Sequence, residues 1–212
     1  LVQQNIVWAL GLIKNKSAVG PLLKRLETAD SDLKREIILA LRMIEDKQAV
    51  PALNEILLND ENPFTRYDAA RALGTIASTD SIFTLIKALK NDKNWMVKGA
   101  CAVALAGTDD KRAINELEEL LNDDAGYEAS WARDRAAQSL SGMGGEGLVA
   151  LVSSLGRAGG RRACWTLVEM GEPVIPHLLT TLRSTSRNAR RRAAMVLGWI
   201  GSKKAVKPLS WT

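Results

Sequence analysis

An apolar pattern closing on a leucine occurs seven times along the chain. The copies read Asn5-Ile-Val-Trp-Ala-Leu10, Glu36-Ile-Ile-Leu-Ala-Leu41, Asp68-Ala-Ala-Arg-Ala-Leu73 and Ala100-Cys-Ala-Val-Ala-Leu105, then Arg135-Ala-Ala-Gln-Ser-Leu140, Arg162-Ala-Cys-Trp-Thr-Leu167 and Arg192-Ala-Ala-Met-Val-Leu197. The anchoring leucines stand 31, 32, 32, 35, 27 and 30 residues apart. Such a period predicts stacked supersecondary units, each touching its neighbours, rather than one globular core. A second pattern alternates with the first: Ala18-Val-Gly-Pro-Leu22, Ala49-Val-Pro-Ala-Leu53, Ser81-Ile-Phe-Thr-Leu85, Ala113-Ile-Asn-Glu-Leu117, Gly147-Leu-Val-Ala-Leu151, Val174-Ile-Pro-His-Leu178 and Ala205-Val-Lys-Pro-Leu209. Proline near its start suits the first turn of a helix, where the amide hydrogens lack intrahelical acceptors. Asp, Asn, Ser and Gly fill the gaps, as caps and turns require. Each unit is therefore a first helix, a short turn and a second helix. No alternating Val/Thr/Tyr run competes as a strand.

On a helical wheel with the anchor leucine at zero, positions −8, −4, −1 and +3 share its side and are mostly apolar or small. That is the core stripe. Position −7 falls there too, yet it is basic: Lys34, Arg66, Lys98, Arg133 and Arg190. A charge on a buried face needs partners, and Asp60 and Asp92 are the candidates. The opposite face, at −9, −5, −2 and +2, is not the Lys/Glu-rich surface that water prefers. It carries Trp8, Phe64, Asp68, Arg71, Trp131, Arg135, Arg162, Trp165, Arg192, Met195 and Trp199 among its residues, and Gly107 as well. Aromatics, Met and Arg are what the cores of interfaces enrich.

The run Ala49-Val-Pro-Ala-Leu, Asn-Asp, Arg66, Ala69-Ala and Ala72-Leu-Gly-Thr-Ile76 resembles a HEAT repeat, and its short form is similar to the HEAT-like repeats of phycobilisome lyases. The likeness covers nearly the whole chain. It implies an all-α solenoid of the armadillo type, with about seven two-helix repeats and partial ones at the ends. It also places the second helices on the concave side, so that their Trp/Arg face is the inner surface. The 212 residues are read as a single domain, 1–212, and as a piece of a longer solenoid.

Charge adds direction. Residues 147–212 carry eleven Lys and Arg against Glu169 and Glu172, a net +9, while residues 1–146 carry a net −4. The expected partner is another protein with an acidic segment, with nucleic acid as an alternative. No run of eighteen apolar residues exists, so no membrane partner is expected, and no small-molecule substrate is evident. Cys101 and Cys164 both fall on the core stripe, two repeats apart, which suits reduced thiols and a cytoplasmic location.

Catalytic signals are sparse. His177 is the only histidine, so metal clusters and Ser/His or Cys/His pairs lack imidazoles. No cofactor is implied. HEAT-like deoxyhypusine hydroxylases hold iron with repeated His-Glu pairs; the sequence has none, and the expectation is that this activity is excluded. Gly142-Met-Gly144-Gly-Glu-Gly147 matches a dinucleotide-binding spacing but follows a helix, where glycine caps it. Phe64 and Asp68, with Arg71 beside them, are similar to the aromatic and carboxylate pairing of HEAT-like alkylpurine DNA glycosylases. The reading as a whole is a non-catalytic protein-binding scaffold. Trp131, Trp165 and Trp199 supply buried area, Arg135, Arg162 and Arg192 orient carboxylates, and Trp8, Phe64, Arg71 and Met195 complete the concave face. Two alternatives stand beside it: a phycobilin lyase-like subunit that attaches or detaches chromophores, and nucleic-acid binding through the basic C-terminal half.

Overall fold

The structure, a computed structural model, describes residues 2–106, 108 and 110–203. Gly107, Lys204, Lys207 and the pattern at Ala205–Leu209 lie outside the described residues. Among those described there are thirteen α-helices and no strand. They are α1 (Val2–Ile13), α2 (Val19–Leu26), α3 (Ser31–Ile44), α4 (Val50–Asn59), α5 (Pro63–Ile76), α6 (Ile82–Asn91) and α7 (Trp95–Leu105), followed by α8 (Lys111–Asn122), α9 (Ser130–Gly142), α10 (Gly144–Ser153), α11 (Gly160–Met170), α12 (Ile175–Thr181) and α13 (Arg187–Ile200). They fall into two compact units, Leu1–Leu105 and Ala106–Thr212.

In the first unit the second helices α1, α3, α5 and α7 pack side by side, and the first helices α2, α4 and α6 back α3, α5 and α7. The second unit repeats this with α9, α11 and α13 against α8, α10 and α12. The anchor leucines from Leu41 to Leu197 are buried, as the wheel requires, and the first one, Leu10, is half-buried. Small residues set the spacing of neighbouring second helices. A methyl group built on Gly74 of α5 would lie 2.7 Å from the Ala104 Cβ of α7, so only glycine allows that approach.

Local caps explain where each helix begins. Side chains of Asp30, Asn62 and Ser186 accept backbone N–H groups at the starts of α3, α5 and α13. Short 3₁₀ turns, not anticipated from the pattern, precede most first helices, and Asn15, Asp46 and Ser78 cap three of them. Four residues past the anchor leucine the backbone turns left-handed, at Lys14 (φ 55°), Glu45 (58°), Ala77 (52°) and Gly201 (69°). Gly144 (φ 65°) makes the tight junction between α9 and α10, so the glycine-rich motif is a helix–helix turn.

The basic residues at −7 build a ladder whose form changes along the chain. In the first unit, Lys34 of α3 meets Asp60 of the next repeat at 2.7 Å. Arg66 of α5 grips both carboxylate oxygens of Asp92, at 2.7 and 2.9 Å, and donates to the Asp60 carbonyl. The Asp92 bond and charge raise the Arg66 pKa, against the opposing effect of burial. Lys98 donates to the Lys90 carbonyl and sits 4.9 Å from the centre of the Trp95 ring. In the second unit the acceptors are carbonyls of the preceding loop: Asp123 and Gly126 for Arg133, Ser184 and Thr185 for Arg190. The connection between α8 and α9, residues 123–129, is thus tied down by Arg133.

Both cysteines are free and buried, and burial pushes both thiol pKa values up. No helix among the described residues is long and apolar enough to cross a membrane.

Candidate binding face and its cleft

The ten residues expected to meet a partner on the inner face divide between the two units. Trp8, Phe64 and Arg71 belong to the first unit; Trp131, Arg135, Arg162, Trp165, Arg192, Met195 and Trp199 belong to the second. All are exposed or half-buried, as opposition to the leucine stripe dictates.

In the first unit, the Arg35 guanidinium of α3 lies 5.6 Å from the Phe64 ring centre and 2.7 Å from the Asp68 carboxylate. Asp68 is only 4% exposed. It was assigned to the open face, yet the Arg35 pair draws it between α3 and α5, where it holds two repeats together. Its carboxylate is therefore not presented beside Phe64 as the glycosylase likeness required. Ala100, which the −5 position of its repeat puts on the same face, is also buried. Arg71 lies over the Tyr67 ring at 5.5 Å.

In the second unit, Trp165 of α11 and Trp199 of α13 stack, with ring centres 5.1 Å apart and planes 12° from parallel. They remain 58% and 48% exposed. An offset aromatic pair is worth about 0.5–1.5 kcal/mol beyond its buried area, so the pair is a preformed apolar platform. The arginines around it have separate fates. Arg162 binds the Asp134 carboxylate and the Ser130 hydroxyl, both at 2.6 Å. Arg192 donates to the carbonyls of Leu155 and Arg157 at 2.7 and 2.9 Å. A Cβ on Gly160 would collide with the Arg192 guanidinium, so a glycine at that position leaves room for the side chain. Arg135 lies 5.9 Å from the Trp131 ring centre. Between α9 and α11 the surface opens into a cleft of about 250 Å³, lined among others by Asp134, Arg135, Gln138, Arg162, Trp165 and Glu169. Asp134 escaped sequence reasoning because it lies one position outside the assumed face. The cleft itself leaves no periodic signal.

The chain belongs to the HEAT-repeat family, whose model matches residues 1–74, 50–141 and 146–210. It is 28% identical to a deoxyhypusine hydroxylase of Arabidopsis thaliana over 95% of this chain and 66% of that protein. It is 34% identical to deoxyhypusine hydroxylase-B of Oryza sativa subsp. japonica over 53% of this chain and 38% of that protein. A phycocyanobilin lyase subunit alpha of Picosynechococcus is 28% identical over 57% of this chain and 49% of that one. The match spans between about a quarter and two thirds of the length of the curated relatives.

These relatives correct two expectations. A non-catalytic scaffold conflicts with kinship to enzymes named as hydroxylases, and so does the preference for no enzymatic activity. Lyase activity does not take the scaffold's place, since the hydroxylases match more of the chain or at higher identity. The similarity to that group stands against the exclusion drawn from the missing His-Glu pairs. The donor set is a separate matter. The chain has one histidine, exposed at the start of α12, and no group of three His, Cys, Asp or Glu side chains among the described residues could hold a metal ion. These residues do not fit the iron centre that the family likeness implies, and no chemical step is assigned to them.

Proposed function

We propose that this chain is the substrate-docking part of a hydroxylase of the deoxyhypusine hydroxylase kind. It holds a protein partner against α9, α11 and α13, and the reactive centre is built by residues outside these 212, in the same polypeptide or an assembled one. The observation that carries the catalytic class is the match to the Arabidopsis enzyme along 95% of the chain. The single histidine is the reason for placing the reactive centre elsewhere. Docking is supported by the open Trp165–Trp199 stack, because indoles and guanidinium groups dominate binding hot spots. An acidic partner segment is supported by Arg161, Arg187 and Arg191, which are exposed and without a carboxylate partner among the described residues. A cytoplasmic location is supported by two free, buried cysteines.

The test is hydroxylation by the full-length protein. It is supplied with iron, air, a two-electron reductant and a deoxyhypusine-bearing protein; one oxygen atom of O2 enters the substrate and the other leaves as water, and mass spectrometry reads the gain of one oxygen atom. The reading expects that gain, with KM rising more than kcat falls when Trp165 and Trp199 both become Ala. No gain, under conditions where the Arabidopsis enzyme turns over, overturns it.

A further inference from the structure

Of the three arginines at position −5 in the second unit, two are consumed by the fold, Arg162 on Asp134 and Ser130 and Arg192 on two loop carbonyls. Arg135 is different. It is half-buried, its Nε is buried without a hydrogen-bond acceptor, and its electrostatic contact is the face of Trp131. Arg133 also has an unsatisfied Nε, but its other two nitrogens are bonded to carbonyls. A guanidinium has five N–H donors and no acceptor, and the terminal nitrogens of Arg135, which make no hydrogen bond among the described residues, are the ones a ligand in the cleft can meet. The Arg135 side chain forms part of the wall of the 250 Å³ cleft.

The geometry points to this cleft as the receptor for one carboxylate side chain of a docked polypeptide, with Arg135 as its anchor. This rests on the docking reading above and names what docks. A carboxylate matches the fork of a guanidinium with two parallel bonds. The cleft lies below the roughly 300–1,000 Å³ of pockets that enclose a free small molecule, so it has room for one side chain. Asp134 does not compete, because Arg162 already neutralises it.

Glu169 sets a second condition. It is exposed on the same cleft, seven residues beyond Arg162 on α11, about 10 Å further along the helix axis. A second carboxylate beside Glu169 is repelled, whereas a neutral or basic side chain is accepted there. The segment recognised therefore carries one acid followed by neutral or basic residues, rather than a run of acids.

The probe is a capped tetrapeptide, glutamate-leucine-leucine-lysine, titrated into the isotope-labelled full chain. The readouts are the Arg135 Nε–H and Trp165 indole N–H resonances. Both are expected to shift, and the Kd is expected to rise roughly tenfold when glutamine replaces the peptide's glutamate or when Arg135→Gln is introduced. Changing the peptide's lysine to glutamate is expected to weaken binding as well, with Glu169→Gln restoring it. The glutamine peptide tests the cleft in the unaltered protein, so a folding defect in Arg135→Gln cannot mask the answer. If glutamine and glutamate peptides bind alike while Trp165→Ala with Trp199→Ala abolishes binding, the cleft is refuted and the docking face stands. If the glutamate peptide moves neither resonance, the cleft falls, and the hydroxylation assay then decides the docking face separately.

Discussion

Ala77 ends α5 in a left-handed conformation, φ 52°, where its Cβ crowds the following carbonyl; Gly201 fills the equivalent place after α13. Ala77→Gly is expected to raise stability by about 1 kcal/mol, read from chemical denaturation at unchanged m-value. The ladder residues carry larger stakes. Asp92 is almost fully enclosed and receives two bonds from Arg66. Asp92→Ala leaves a half-buried guanidinium without its counter-charge, and a loss of about 3 kcal/mol is expected in the same experiment. Asp110 caps α8 and is held by Arg112, which lowers its pKa to about 2. The folded-state value lies below the ordinary carboxylate value, so this contribution is present above pH ~4 and lost as pH falls through 2. Asp110→Asn keeps the cap acceptor. The stability gap between wild type and variant should be flat above that range and shrink towards pH 2; a gap that widens on acidification contradicts the assignment. Which positions would be charged at −7 was legible in the sequence. Their partners were legible only in part, because Asp60 and Asp92 act across repeats on Lys34 and Arg66, and loop carbonyls replace them at Arg133 and Arg190.

α1 shows what the repeat needs from its neighbours. Its core-stripe residues Val2, Ile6 and Ile13 are 73%, 55% and 67% exposed, whereas the equivalent Leu33, Ile37 and Ile44 of α3 are buried. No helix among the described residues packs on that side of α1. Burial supplies most of a helix's stability in proteins, so α1 should open first. Its amides are expected to exchange with deuterium well ahead of those of α3 and α5. Equal protection in all three helices contradicts this. At this scale the sequence served well: the leucine stripe placed the second helices, and proline and Asx residues placed the starts. The 3₁₀ turns escaped because their signal, one Asn, Asp or Ser cap, is the same as that of an ordinary turn.

Taken whole, the chain sets kinship to enzymes against a surface that lacks their metal donors. If the reactive centre lies outside these residues, the purified 212-residue chain from iron-supplemented culture should carry far less than one iron per molecule by elemental analysis. Stoichiometric iron refutes the division proposed here. The repeat architecture, the buried cysteines, the exposed aromatic face and the single histidine all follow from the sequence by itself, because helical periodicity converts spacing directly into facing. Activity class did not, since a shared repeat constrains packing and leaves the site free. What only the tertiary structure decided is the state of each side chain on that face. Asp68 is drawn inward by Arg35, Arg192 is spent on the Leu155 and Arg157 carbonyls, Trp165 finds Trp199, and Arg135 is left without an acceptor. The pairings among these join residues 33 to 37 positions apart: 33 for Arg35 and Asp68, 34 for Trp165 and Trp199, 37 for Leu155 and Arg192. Contacts at that separation are set by how neighbouring helices pack, and helical periodicity within one helix carries no record of them.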